Sequence, residues 1–189
     1  MSKLFYDTAS VPMRHRDFRP SESLSESWTG AYTSLKEKVP SGPIAAIVGN
    51  RGTGKTQLAA CLIGFVALEL DKSASYYKSM EIFLRLREAM TSKIDSEMSA
   101  LQEFTKPFLL VIDAYEVRSD SDFENRVLDH IIDKRYDAMK ATVIISNDSA
   151  VAFQKQIGAS ICDRIAETGG IVELKSDSFR RSQKIGGVV

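Results

Sequence analysis

The chain is poor in residues that would carry several common chemistries. It has two cysteines, Cys61 and Cys162, far apart in sequence, which excludes a disulfide framework and a CxxC metal or redox site. Its two histidines, His15 and His130, are too few for a His-rich metal site. Charge of one sign is also missing: 25 basic residues balance 25 acidic ones. A broad basic coat for nucleic acid is therefore excluded, though a local basic stripe is not. Zero net charge leaves little repulsion between copies, so self-association is inexpensive. The longest apolar run, Leu58 to Leu68, falls far short of the roughly 20 residues that cross a bilayer core. Met1 to Arg19 mixes charges and has no apolar centre, unlike a secretory signal. A soluble, cytoplasmic protein is expected.

What is present is globular. Hydrophobic residues at 43% and charged residues at 26% of 189 can build one compact domain with a short arm. Residues 1–43 hold Pro12, Pro20, Pro40 and Pro43 and a serine-rich stretch, Ser21 to Ser27. They read as an extended arm with one short helix around Trp28 to Lys38. Phe5, Tyr6, Phe18, Trp28 and Tyr32 give that arm enough apolar surface to pack rather than trail. From residue 44 the pattern alternates. Ile44 to Val48, Phe108 to Ile112 and Thr142 to Ile145 are short buried strands, Ala74 to Lys78 a weaker one and Ile171 to Leu174 the last. Helices are expected over Lys55 to Leu70, Met80 to Met90, the segment after Ser121, Ser149 to Gln156 and Ala159 to Glu167. Ser121 with Glu124 fits a capping box. Strands apolar on both sides, alternating with helices, indicate an α/β fold with a parallel sheet.

Gly49-Asn50-Arg51-Gly52-Thr53-Gly54-Lys55-Thr56 matches the phosphate-loop pattern GxxxxGK[ST] in full, between a buried strand and a helix. Glycines admit positive φ and let backbone N–H groups approach phosphate oxygens. The helix N-terminus favours anions. Lys55 reaches the β- and γ-phosphates, and the Thr56 hydroxyl faces Mg²⁺. The pattern arises by chance in on the order of one in a hundred chains of this length. Asp113, ending the strand Leu109 to Ile112, is the expected second Mg²⁺ partner, direct or through water. ATP and Mg²⁺ are thus the expected cofactors.

Further segments carry a resemblance. Leu109 to Arg126 reads LLVIDAYEVRSDSDFENR; Ile131 to Tyr136, Ile145-Ser146-Asn147, Cys162-Asp163-Arg164 and Asp177-Ser178-Phe179-Arg180 follow in order. This succession resembles the DnaC-type replicative helicase loaders of the AAA+ class, including their phage relatives, over roughly residues 10–182. IstB-type transposition helpers share most of it. The resemblance implies an AAA+ core over 44–182 without a large C-terminal lid domain, and a flexible tail at 183–189. It implies an ATP-bridged oligomer, with a replicative hexameric helicase and single-stranded DNA as partners. Asn147 matches the sensor that orients the attacking water; otherwise it caps the next helix. Arg164 matches the arginine finger that reaches a neighbouring subunit's ATP; otherwise it pairs with Asp163 or Glu167. Arg180 matches the second sensor arginine, or belongs to a solvated basic tail. Arg118 to Phe123 matches the segment that touches single-stranded DNA, pointing to Arg118, Ser121 and Phe123, although Phe123 also fits core packing.

Two departures stand out. The family has glutamate after the strand-end aspartate, to polarise water; position 114 here is alanine. Hydrolysis is expected to be weak unless Glu116, the nearest carboxylate, substitutes. Cellular loaders also carry a separate N-terminal helicase-binding domain, whereas about 43 residues precede the core here, so this arm or the core surface should meet the helicase. Three other readings stand beside the loader: the transposition helper, a nucleotide-binding module without turnover, and a small P-loop kinase. Against the last, kinases usually carry an arginine-rich lid, and no clear lid is found here, only Arg85 and Arg87 on a helix.

Overall fold

The computed structural model describes residues 1–16 and 25–175. Five parallel strands form its centre: β1 Ile44–Val48, β2 Ala74–Lys78, β3 Leu109–Asp113, β4 Ala141–Ile145 and β5 Gly170–Glu173, in the spatial order β2-β3-β4-β1-β5. The three central strands are β-branched and apolar, and each faces helices on both sides. Ala45, Ile47, Val111, Val143 and Ile145 enter one core; Ile44, Ala46, Leu110, Ile112 and Ile144 enter the other. The period of two divides each strand between them.

The helices are α1 Ser2–Thr8, α2 Glu26–Lys38, α3 Lys55–Gly64, α4 Ser79–Thr91, α5 Glu97–Thr105, α6 Asp122–Asp137, α7 Ala150–Gln156 and α8 Ala159–Thr168. Leu58, Leu62 and Ile63 of α3 share the first core with Trp28 and Leu35 of α2. Beyond Gly64 the chain continues as one π-helical turn, Phe65–Glu69. The second core takes Ile82, Phe83 and Leu86 of α4, Phe104 of α5, Leu128, Ile131 and Ile132 of α6, and Ile161 and Ile165 of α8.

Three local readings change. Residues 2–8 are helical rather than extended; every proline of the arm lies beyond them. Helix α5 had no strong signal, because only Ala100 and Phe104 of its nine residues are buried. The capping box is half formed. Ser121 Oγ accepts from Glu124 N at 3.4 Å, but the Glu124 side chain is fully buried and accepts no hydrogen bond from a described residue. Its nearest cation is the Arg87 guanidinium, at 3.8 Å.

Arg135 straps the amino end of the sheet, opposite the phosphate loop. It is fully buried and donates to Phe104 O, Pro107 O, Phe108 O, Ala141 O and Thr142 Oγ1. One guanidinium thereby ties α5 to the starts of β3 and β4. Burial lowers its pKa to about 9, so it stays charged at neutral pH.

Candidate functional site

The carboxyl ends of β1, β3 and β4 converge, and each carries a signal residue immediately beyond or at its end. After β1 the loop Gly49 to Thr56 turns into α3. Gly49, Gly52 and Gly54 have φ of 129°, 89° and 88°. Position 49 needs glycine for a second reason: a Cβ there would lie 2.5 Å from Leu174 O, where β5 ends. Asn50 and Arg51 are exposed, whereas Thr53 and Lys55 are buried. Thr53 Oγ1 donates to Asn50 O at 3.0 Å, closing the loop on itself. Lys55 Nζ donates to Gly49 O at 2.6 Å and Asn50 O at 2.8 Å. The ammonium is thus held under the loop, beside the space that the backbone N–H groups surround.

Trp28 of α2 fixes the loop from the arm side. Its indole Nε1 donates to Gly54 O at 3.2 Å, and its ring stacks on Tyr32. His15 Nδ1 meets Gln57 Oε1 at 2.7 Å, next to Thr56. Neither contact was legible in sequence. Both join residues remote in the chain, and a tryptophan in a serine-rich arm gives no hint of what it will touch.

Asp113 and Thr56, separated by 57 positions, meet: Thr56 Oγ1 donates to Asp113 Oδ2 at 2.9 Å. Tyr76 of β2 donates to the same oxygen at 2.5 Å, while Asp113 Oδ1 accepts from Ala114 N at 2.6 Å. Burial and the adjacent carboxylate push the Tyr76 phenol far above its ordinary range, so it is a neutral donor at physiological pH. A hydroxyl and a carboxylate are hard oxygen donors suited to Mg²⁺, with other positions left to phosphate and water. No group of three or more His, Cys, Asp or Glu forms a metal site among the described residues.

Ala114 adopts the left-handed conformation at φ 55°, ψ 45°, an unusual one for a residue with a Cβ. The bend starts the turn Tyr115–Val117; Ser79 Oγ secures it by donating to Ala114 O at 2.9 Å. It carries Glu116 across to β4, where one carboxylate oxygen accepts from Asn147 N at 3.1 Å and the other from Asn147 Nδ2. Asn147 therefore does not cap α7. Ser149 does so, accepting from Ala152 N. Asp148 O accepts from Gly49 N at 3.0 Å, so the Glu116–Asn147 unit is joined to the phosphate loop through main chain.

The remaining residues lie elsewhere. Arg164 pairs with Asp133 of α6 at 2.7 Å rather than with Asp163 or Glu167, donates to Ser160 O, and lies over the Tyr136 ring. Arg118 is 4% exposed in its side chain; it pairs with Asp120, bonds Asn125 and Gln156 O, and covers the Tyr115 ring. Ser121 caps α6. Phe123 packs partly buried against the second core, with the Arg87 guanidinium 5.3 Å from its ring centroid. All three residues matched to DNA contact are thus engaged within the chain. Arg180 and the tail 183–189 lie outside the described residues. Arg85 is bound to Asp95 and Glu103.

A parallel sheet with this strand order, a phosphate loop after β1 and an aspartate ending β3 define an AAA+ P-loop nucleotide-binding domain. The family is narrower: residues 31–186 match the model of the IstB-like ATP binding protein family, and the chain belongs to it. It is 28% identical over 142 residues to the replicative helicase loader DnaC of Escherichia coli K12, covering 74% of this chain and 58% of that one. The chain thus spans a little over half the length of that relative. A crystal structure of the DnaC helicase loader superposes with a TM-score of 0.69 at 20% identity, over 90% of this chain and 98% of the other. AMPPCP-bound DnaA from Aquifex aeolicus gives 0.71 at 19% identity, over 93% and 55%. These two likenesses show the fold. The DnaC-type resemblance read from the sequence is thereby supported at the level of family and architecture.

Proposed function

We propose that this protein is an ATP-dependent loader of a replicative DNA helicase, acting in the cytoplasm as an ATP-bridged oligomer. The observation that carries the nucleotide part is the meeting of Thr56 with Asp113 beneath a complete phosphate loop. Similarity to DnaC supports the loader part. Residues 44–182 are read as the ATP-binding core and 1–43 as an arm that braces the loop through Trp28.

The chain's residues would act as follows. N–H groups of the loop surround the phosphates, and Lys55 leaves Gly49 O and Asn50 O to face the β- and γ-phosphate oxygens. Thr56 and Asp113 hold Mg²⁺, which neutralises phosphate charge when bound. Glu116 fixes the Asn147 amide beside the γ-phosphate position, and its carboxylate is the base available for water in place of the missing one at 114. Turnover is slow, because this carboxylate is already committed to two donors. Arg164 leaves Asp133 to reach a neighbour's nucleotide. The ion pair is partly exposed, so releasing it costs on the order of 1 kcal/mol or less. Arg180 is assigned the second sensor role from the resemblance alone. Single-stranded DNA is placed along residues 118–123 of the assembled form, which requires Arg118 to release Asp120, Asn125 and Gln156 O and to swing off the Tyr115 ring.

The test is capture of the host's hexameric replicative helicase by the tagged protein with and without a non-hydrolysable ATP analogue. Nucleotide-dependent capture supports the loader. Failure to bind the helicase, with retention of duplex DNA and a transposase, favours the transposition helper of the same family.

A further inference from the structure

The metal carboxylate has a third donor that no phosphate-loop pattern includes. Tyr76 is 4% exposed and sits on β2, on the face that packs against α3. Its main chain is fixed from both sides. It pairs with Val111 of β3, and its N–H donates to Ala9 O of the arm at 2.8 Å. From this seat the phenol reaches forward along the sheet to Asp113 Oδ2, which already accepts from Thr56.

The count of lone pairs gives the consequence. A carboxylate oxygen offers two favourable acceptor directions. Both on Oδ2 are taken, by Tyr76 and Thr56; one on Oδ1 is taken, by Ala114 N. With Tyr76 in place, Asp113 therefore has one open direction, on Oδ1. Each donated hydrogen bond also draws electron density from the carboxylate and makes it a poorer ligand. The ring is buried and its backbone held, so the phenol cannot easily turn away.

We propose that Tyr76 is a positioning residue for the Mg²⁺ carboxylate: it caps Asp113 Oδ2, the oxygen that Thr56 also reaches, and sets the metal affinity below what the uncapped aspartate would give. This rests on the reading that Thr56 and Asp113 hold Mg²⁺ with ATP. A tight site would keep the metal bound after nucleotide loss or exchange, whereas a capped carboxylate keeps the site dependent on the phosphates.

The experiment titrates Mg²⁺ into protein saturated with a fluorescent ATP analogue and reads the Mg²⁺ midpoint; nucleotide affinity is also measured in EDTA. In Tyr76→Phe the midpoint should fall by about fivefold or more, the scale of losing one typical hydrogen bond, with affinity in EDTA unchanged. A midpoint that is unchanged or higher overturns the proposal. A purely structural tyrosine would lower the melting temperature without moving the midpoint. Should Tyr76→Phe not fold, 3,5-difluorotyrosine placed at 76 keeps the shape and strengthens the donor. The midpoint should then rise, and a fall or no change overturns the proposal. If the wild-type protein shows no Mg²⁺-dependent nucleotide signal at all, the underlying reading of Thr56 and Asp113 fails instead.

Discussion

Replacing Glu116 by glutamine separates two roles that share one side chain. Both carboxylate oxygens face donors, the N–H and the side-chain amide of Asn147. Glutamine has one oxygen and one NH₂. Its oxygen can keep the backbone N–H, and the Asn147 amide must then turn over so that its oxygen accepts from the new NH₂. Two charge-assisted hydrogen bonds become two neutral ones, which are about half as strong. The expected loss of stability is about 1–2 kcal/mol, a fall of roughly 2–8 °C in a domain of this size. Nucleotide affinity should hardly change, because neither group touches the loop directly. Hydrolysis should fall by about 10²–10⁴-fold, since the base is gone and the sensor amide now points the wrong way. Steady-state ATPase with single-stranded DNA, read beside a melting curve, tests this. ATPase at the wild-type rate in Glu116→Gln would refute it, whatever the melting temperature.

Other changes should behave as follows. Arg164→Ala should weaken analogue-dependent assembly more than nucleotide binding by the monomer, and Asp133→Asn, which frees the arginine, should strengthen assembly; sedimentation velocity reads both. Ala114→Glu should raise ATPase in the presence of single-stranded DNA, and an unchanged rate would show that no carboxylate is missing. Arg135→Ala strands four carbonyls and a hydroxyl at the amino end of the sheet and should cost about 3–5 kcal/mol, measured by urea unfolding. A shift below about 1 kcal/mol would contradict the strap. Arg118→Ala should lower single-stranded DNA affinity of the assembled form and flatten its salt slope by about one; equal affinity would remove the DNA site from this loop.

The sheet was legible because its three central strands are short, largely apolar and separated by helical periods. The loop 49–56 was legible because phosphate chemistry restricts residue type at fixed spacing. Residues that act through folding were hidden. Tyr76 reads as a weak strand residue, and its meeting with Asp113 depends on β2 and β3 being neighbours in register. Glu116 reaches Asn147 only because Ala114 turns left-handed, which an alanine does not announce. Arg164 carries no sign that Asp133, 31 positions earlier on α6, holds it. Glu124 looked like half of a cap and is instead buried beside Arg87.

The claim underneath all the others is that the loop binds Mg·ATP, and calorimetry of ATP with Mg²⁺ against the wild-type chain and Lys55→Ala tests it most directly. The wild type should bind one ATP per chain. Loss of the Lys55 ammonium, worth one or more charged hydrogen bonds, should weaken binding by roughly tenfold to a hundredfold. Equal affinity in the two proteins, or no saturable heat in either, would contradict it.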